Sequence, residues 1–308
     1  MQSAWRVLVA DGMTDDALRR LRQEAQVIEA GLEAATDVDA IIVRGGSRVT
    51  AEVISRAGPR LRVVGRAGVG VDNIDLEAAR RAGVAVVNAP LSSTLSVAEH
   101  VLALMFALAR RIPAGDASLR RGEWRKAELE GSELFDKTLG VLGLGRIGRA
   151  VAQRAAALGM RVVGHDPLIS AEAIRQAGAT PVDFDTLLEE SDYISLHVPL
   201  DEQTRGLLGA DELQKMKPGA RVISTSRGGI VDETALLQAL ESGRLAGAAL
   251  DVFEREPPGA SPLLQHPAVV VTPHIAAQTA EAQTRASADI AAEVLAALRG
   301  EPLRWRVV

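Results

Sequence analysis

The chain contains no cysteine. Disulfides, thiolate catalysis and cysteine-ligated metal sites are thereby excluded. Asparagine is almost absent as well, with only Asn73 and Asn88 in the whole chain. Long apolar runs are missing: the longest, Val101–Ala109, is nine residues, whereas a bilayer-spanning helix needs ~20. The stretch from Met1 to Ala10 has no signal-peptide core. Together these absences point to a soluble, cytoplasmic protein with no membrane partner. There is no long basic run either, and 40 acidic residues against 35 basic ones give a net charge of -5. Nucleic-acid partners are disfavoured on that ground, while a small anionic substrate held by local arginines remains open. The five histidines show no metal-ligand spacing, so no metal is expected.

What is present suffices for two cores. At 308 residues with 47% hydrophobic content, two domains are the natural expectation. Short apolar runs at Arg6–Ala10, Ala40–Arg44, Arg62–Gly65 and Val84–Asn88 alternate with helical patterns at Asp15–Glu24, Ala51–Arg56 and Leu76–Ala82. That alternation predicts parallel strands covered by helices. Thr94–Arg111 is a helix pattern apolar on nearly every face, with Pro113 just beyond as a stop. Such a helix is expected to be buried, to join two domains and to pack against a second subunit in a homodimer. Alternation then resumes, with strands at Thr138–Leu142, Arg161–His165, Tyr193–His197, Arg221–Thr225, Gly247–Leu250 and Val269–Thr272, and a last helix at Ala280–Leu298. The expected class is α/β with two doubly wound parallel-sheet domains. Residues 1–91 with 279–308 would form a discontinuous flavodoxin-like substrate domain, and 92–278 a Rossmann-type cofactor domain.

Gly143-Leu144-Gly145-Arg146-Ile147-Gly148 directly follows a strand and opens a helix. In that setting the first glycine makes the tight turn, the second admits a pyrophosphate to the backbone, and the third lets helix pack on strand. The helix N-terminus adds free N–H groups and a positive dipole end. Asp166 closes the next strand, eighteen residues after Gly148, where a carboxylate accepts ribose hydroxyls and repels a 2′-phosphate. Residues 167–170 include no arginine to hold such a phosphate, so NAD is favoured over NADP.

Three charged residues follow at expected strand ends: Arg227, Glu256 and His274. Oxidising a hydroxy acid requires a base for the hydroxyl proton while hydride leaves carbon. His274 suits that task, because imidazole titrates near ~6.5. Glu256 can orient the ring, and the planar fork of Arg227 can hold a carboxylate and polarise the forming carbonyl.

On these motifs, and on Val63–Asn73 and Gly247–Phe253, the chain resembles the D-isomer-specific 2-hydroxyacid dehydrogenase family from about Arg6 to Leu298. The spacings, 29 residues from Arg227 to Glu256 and 18 more to His274, fit the family pattern. The resemblance implies Arg227 as substrate anchor, Glu256 as histidine partner and His274 as acid/base, with the backbone N–H groups of Val69 and Gly70 on the substrate carboxylate. It implies that Arg146, Ile147 and Asp166 hold the dinucleotide, that Val198, Pro199, Thr225, Ser226, Asp251, Ala276 and Ala277 line it, and that Asp251 meets the nicotinamide carboxamide. There are departures. Ala276 and Gln278 stand where relatives have Gly and Ser, and Ser224 where Asn is frequent. Glu rather than Gln at 256 argues against formate oxidation.

The resemblance also implies a phosphate-binding group at Arg44, Arg66 and Lys126, and hence D-3-phosphoglycerate as the substrate. The alternatives are glyoxylate or hydroxypyruvate reduction by the same triad and, in another class, a non-catalytic NAD-sensing interaction protein. A short form without serine feedback is expected, since no regulatory domain follows Val308. The remaining histidines read as structural: His100 in a core, His165 capping its strand beside Asp166, His197 near the cofactor through its backbone, and His266 in a surface loop. Trp124 and Trp305 read as packing residues.

Overall fold

The computed structural model describes residues 5–308. Residues 1–4, with which the expected first domain and the Met1–Ala10 stretch begin, lie outside the described residues. The chain forms two compact units. One runs to Thr94 and resumes at Ala277; the other spans Leu95–Ala276.

The first unit holds strands β1 (Trp5–Val9), β2 (Ala25–Glu29), β3 (Ala40–Val43), β4 (Val63–Arg66) and β5 (Ala85–Asn88). They pair in the order β2-β1-β3-β4-β5, parallel throughout, the flavodoxin-like arrangement. Strand residues alternate between two cores, because successive side chains point to opposite faces. Val7, Val9 and Ile42 pack with Ile290 and Val294 of the helix Ala280–Arg299. Leu8, Ile41 and Val43 pack on the other side with Val53 and Ile54. The C-terminal segment returns to this unit: Val307 N donates to Val86 O (2.7 Å) and Asn88 N to Trp305 O (3.2 Å). The buried Glu293 holds it there, accepting the amides of Arg304 (2.9 Å) and Trp305 (3.1 Å) and the Arg304 guanidinium (2.9 Å).

The second unit holds β6 (Thr138–Leu142), β7 (Arg161–His165), β8 (Thr180–Pro181), β9 (Tyr193–Leu196), β10 (Ala220–Ser224), β11 (Leu245–Leu250) and β12 (Val269–Val271). Their order is β12-β11-β10-β9-β6-β7-β8, again parallel. Numbered from β6, this is the dinucleotide-binding order 3-2-1-4-5-6 with a seventh strand added. Every residue of β6 and β9 is buried, as in a strand covered on both faces. One face packs against Val101, Leu104 and Met105 of the helix Thr94–Ala109.

Several sequence expectations need correction. Two strands went unread, β2 and β8, and both are sheet edges. The helix from Thr94 does end before Pro113, at Ala109, but Arg111 then adopts a left-handed conformation (φ 50°) and an unread helix, Ile112–Arg120, starts with the proline in its first turn, where a missing N–H costs nothing. Helices at Ala210–Lys215 and Pro262–Gln265 were also unread, and His266 directly follows the latter. The apolar helix is not wholly buried, since Leu95 and Phe106 are exposed. Trp124 is 80% exposed and packs into no core among the described residues. His165 does more than cap its strand, its Nδ1 lying 3.0 Å from the Val182 carbonyl. Among the described residues, no helix is long and apolar enough to cross a membrane.

Candidate active site

Parallel strands place all their carboxyl ends along one sheet edge, and in the second unit that edge carries the residues singled out above. The first sharp turn there follows β6. Gly143 adopts φ +88°, and a Cβ on it would meet the His197 backbone at 2.9 Å. A Cβ on Gly148 would lie 2.0 Å from the Gly143 carbonyl oxygen. Gly145 differs: nothing lies within 4 Å of its notional Cβ. It is the N-cap of the helix Arg146–Ala157, with no side chain capping the first turn. The turn is thus closed against the protein and open outward, where orphan helix N–H groups attract an anion.

Asp166 sits beside this turn after β7. Its carboxylate accepts the Leu144 amide (2.8 Å) and the Leu168 amide (3.0 Å), which fixes its position and leaves lone pairs for ribose hydroxyls. After β9, Val198 borders Gly143, and the Pro199 carbonyl accepts the Thr204 hydroxyl (2.6 Å). After β10, Thr225 Oγ1 and Ser226 Oγ are buried without a hydrogen-bond partner among the described residues. Buried hydroxyls are rarely left so. An outward-facing glycine turn, a fixed carboxylate and two orphaned hydroxyls on one strand edge are what a bound dinucleotide would complete, so these residues fit NAD.

Arg227 extends β10, its Nη1 donating to the Ser226 carbonyl (2.6 Å). His274 and Glu256 meet directly, with Nδ1 2.7 Å from Oε2. The other carboxylate oxygen of Glu256 accepts the Phe253 amide (3.2 Å), so Glu256 is held by its own turn. A carboxylate on Nδ1 fixes the proton there and leaves Nε2 as the basic atom. His274 has φ +54°, a left-handed conformation that non-glycine residues adopt only where surrounding bonds impose it. Asp251 is fully buried and accepts the Ile275 (2.8 Å) and Ala276 (2.9 Å) amides and the Thr272 hydroxyl (2.6 Å). Its carboxylate is therefore turned toward the loop carrying His274. Lys126 lies exposed in a short 3-10 turn, Lys126–Glu128.

In the first unit, Arg44 follows β3 in a loop shaped by two residues the sequence reading did not single out. Asp11 accepts the amides of Arg44 (2.6 Å) and Ser47 (3.1 Å) and the Ser47 hydroxyl (2.5 Å). Asn73 donates to the carbonyls of Arg44 (2.8 Å) and Ser47 (2.6 Å). The Arg44 guanidinium reaches Gln278 Oε1 at 3.1 Å. Arg66 ends β4, and its Nη1 lies 3.4 Å from the Ala67 carbonyl. Asn88 donates to the Val69 carbonyl (2.7 Å). The neighbouring amides of Val69 and Gly70 donate to no hydrogen bond among the described residues. The scarcity of asparagine was the available signal, since both asparagines pin a loop that carries expected substrate contacts.

Comparison with known proteins bears on these features. The family described as D-isomer specific 2-hydroxyacid dehydrogenase, NAD binding domain, matches residues 102–276. The chain is 46% identical over 309 residues to D-3-phosphoglycerate dehydrogenase of Synechocystis, covering 98% of this chain and 56% of that protein. It is 45% identical over 305 residues to D-3-phosphoglycerate dehydrogenase of Bacillus subtilis, covering 97% and 58% respectively. The chain thus spans little more than half the length of these curated relatives. Among solved structures it resembles a glyoxylate reductase from Paecilomyes thermophila, with TM-score 0.88, 33% identity, and 100% and 99% of the two chains covered.

Gly145→Ala is expected to leave stability unchanged, since the glycine already has φ -67° and open space. It should weaken NADH binding by more than about tenfold, as read by fluorescence titration; unchanged affinity would remove the turn from the cofactor site. His197 gives a second expectation. Burial lowers its imidazole from 6.5 to about 4. The unfolded chain therefore takes up this proton at a pH where the folded chain does not. The contribution to stability is complete above pH 6.5 and is lost as pH falls toward about 4. In His197→Gln, urea unfolding across that window should lose a slope worth about 3 kcal/mol. An identical slope in both proteins would contradict this.

Proposed function

This chain belongs to the D-isomer-specific 2-hydroxyacid dehydrogenase family, and on that premise we propose that it oxidises D-3-phosphoglycerate at C2 to the 2-oxo acid with NAD, the step that opens the phosphorylated route to serine. The observation that carries the chemistry is the 2.7 Å contact between His274 and Glu256. When bound, NAD supplies the acceptor for the hydride leaving C2. His274 Nε2 takes the C2 hydroxyl proton as that hydride departs, and Glu256 stabilises the imidazolium that forms. Arg227 holds the substrate carboxylate and polarises the developing carbonyl. The amides of Val69 and Gly70 donate to the substrate carboxylate, as the family resemblance implies. Arg44, Arg66 and Lys126 take the phosphate, and relatives named D-3-phosphoglycerate dehydrogenase at 45–46% identity support that assignment. Val198, Pro199, Ala276 and Ala277 line the cofactor.

We place the enzyme in the cytoplasm as a homodimer. Exposed Leu95 and Phe106 on the helix Thr94–Ala109, with Ile112 and Leu119 on the next helix, are the apolar surface that supports a partner there. A second reading, reduction of glyoxylate or hydroxypyruvate, draws on the likeness to a glyoxylate reductase.

A substrate panel separates the two. The pure protein should reduce NAD with D-3-phosphoglycerate in clear preference to D-glycerate and glycolate. Arg44→Ala should raise KM for the phosphorylated acid about 10- to 100-fold, the loss of one charge-assisted contact, without changing KM for D-glycerate. His274→Ala should lower kcat by about 10²- to 10⁴-fold while NADH still binds. Preference for an unphosphorylated acid, with Arg44→Ala silent, would favour the second reading.

A further inference from the structure

Asp251 has no exposed surface, and a buried carboxylate is tolerated only when donors surround it. Burial opposes its ionisation, but bonds from His100, Thr272 and the Ala276 and Ile275 amides outweigh this and hold the carboxyl below the usual carboxylate range. Two of those donors make no contact expected of the cofactor or substrate. Thr272 Oγ1 donates its single proton to Asp251 Oδ1 at 2.6 Å. The same oxygen lies 3.0 Å from His100 Nε2, so there it must accept, and His100 Nε2 must carry a proton. A directed chain results: His100 Nε2–H to Thr272 Oγ1–H to Asp251 Oδ1.

Both ends of this chain are anchored. His100 stands on the helix Thr94–Ala109 between Ala98 and Val101, which pack into one core of the seven-stranded sheet. At the other end, Asp251 accepts the Ile275 and Ala276 amides with its carboxylate and the His274 amide (2.9 Å) with its carbonyl oxygen. Three consecutive amides of the loop therefore converge on one residue. The left-handed backbone of His274 lies within that stretch, and such a conformation persists only where neighbouring bonds over-determine it.

We propose that His100 and Thr272 are positioning residues, which orient the buried Asp251 carboxylate so that it clamps residues 274–276 and aims the His274 imidazole. Neither has a contact with substrate or cofactor in the function proposed above. Their effect on turnover rests on the proposed role of His274; the clamp itself does not.

The experiment compares Thr272→Val, Thr272→Ser and His100→Leu in the full chain, by amide hydrogen exchange at Ile275 and Ala276 and by steady-state kinetics. Exchange should quicken about tenfold or more in the Val and Leu variants and stay near wild type in the Ser variant, which keeps the hydroxyl. Along with it, kcat should fall about tenfold in Val and Leu while KM for the hydroxy acid stays unchanged, and recover in Ser. Unchanged exchange in Val and Leu would overturn the proposal, as would Ser behaving like Val. If Thr272→Val does not fold, His100→Leu decides on the same readout. Should the wild-type chain turn over no 2-hydroxy acid, the proposed function fails, and exchange still decides on the clamp.

Discussion

Seven strands running one way bring seven chain ends to a single edge of the larger sheet, and the chemistry of this protein hangs on that constraint. Residues 143, 166, 225, 251 and 274 are far apart in sequence, yet each follows a strand end of the same parallel sheet. Where the strand order reverses, between β6 and β9, the Gly143 turn abuts the His197 backbone. This is the position at which open α/β sheets bind their ligands. No separate device is needed to gather the glycine turn, His274 and the carboxylate beside it. Parallel pairing does so once the two faces are buried.

What remained was to fix each loop locally, and the structure repeats one solution. A buried or half-buried acid accepts several backbone amides of the loop to be held. Asp11 does this for the Arg44 loop, Asp251 for the His274 loop and Asp166 for the glycine turn. Glu293 ties the C-terminal segment down in the same way. Carboxylates are suited to it because each offers two oxygens with several acceptor positions and no donor to satisfy.

Much of this was legible in the sequence wherever the determinants are local. A central strand such as β3 is a short unbroken apolar run because both of its faces are covered. The glycine turn is a strand, turn and helix within one short segment, so its reading needed no distant contact. The edge strands were not legible. In β2 the polar Gln26 and Glu29 interrupt the run, and β8 is two residues long, since an edge strand has less apolar surface to bury. The helix Ile112–Arg120, which contains Pro113, was missed because proline stops a helix interior but suits a first turn. Contacts between distant segments were silent as well. His100 and Thr272 are 172 residues apart, and Asp11 and Arg44 are 33 apart; neither pairing leaves a pattern in a single sequence.

The central proposal is that a hydride leaves C2 of a phosphorylated D-2-hydroxy acid while His274 takes the proton. The most direct measurement is a single turnover with D-3-phosphoglycerate carrying deuterium at C2, followed by mass spectrometry of the cofactor. The account predicts reduced NAD one mass unit heavier than the unlabelled form. Reduced cofactor without the label, or none formed from this acid while an unphosphorylated one reacts, would contradict it.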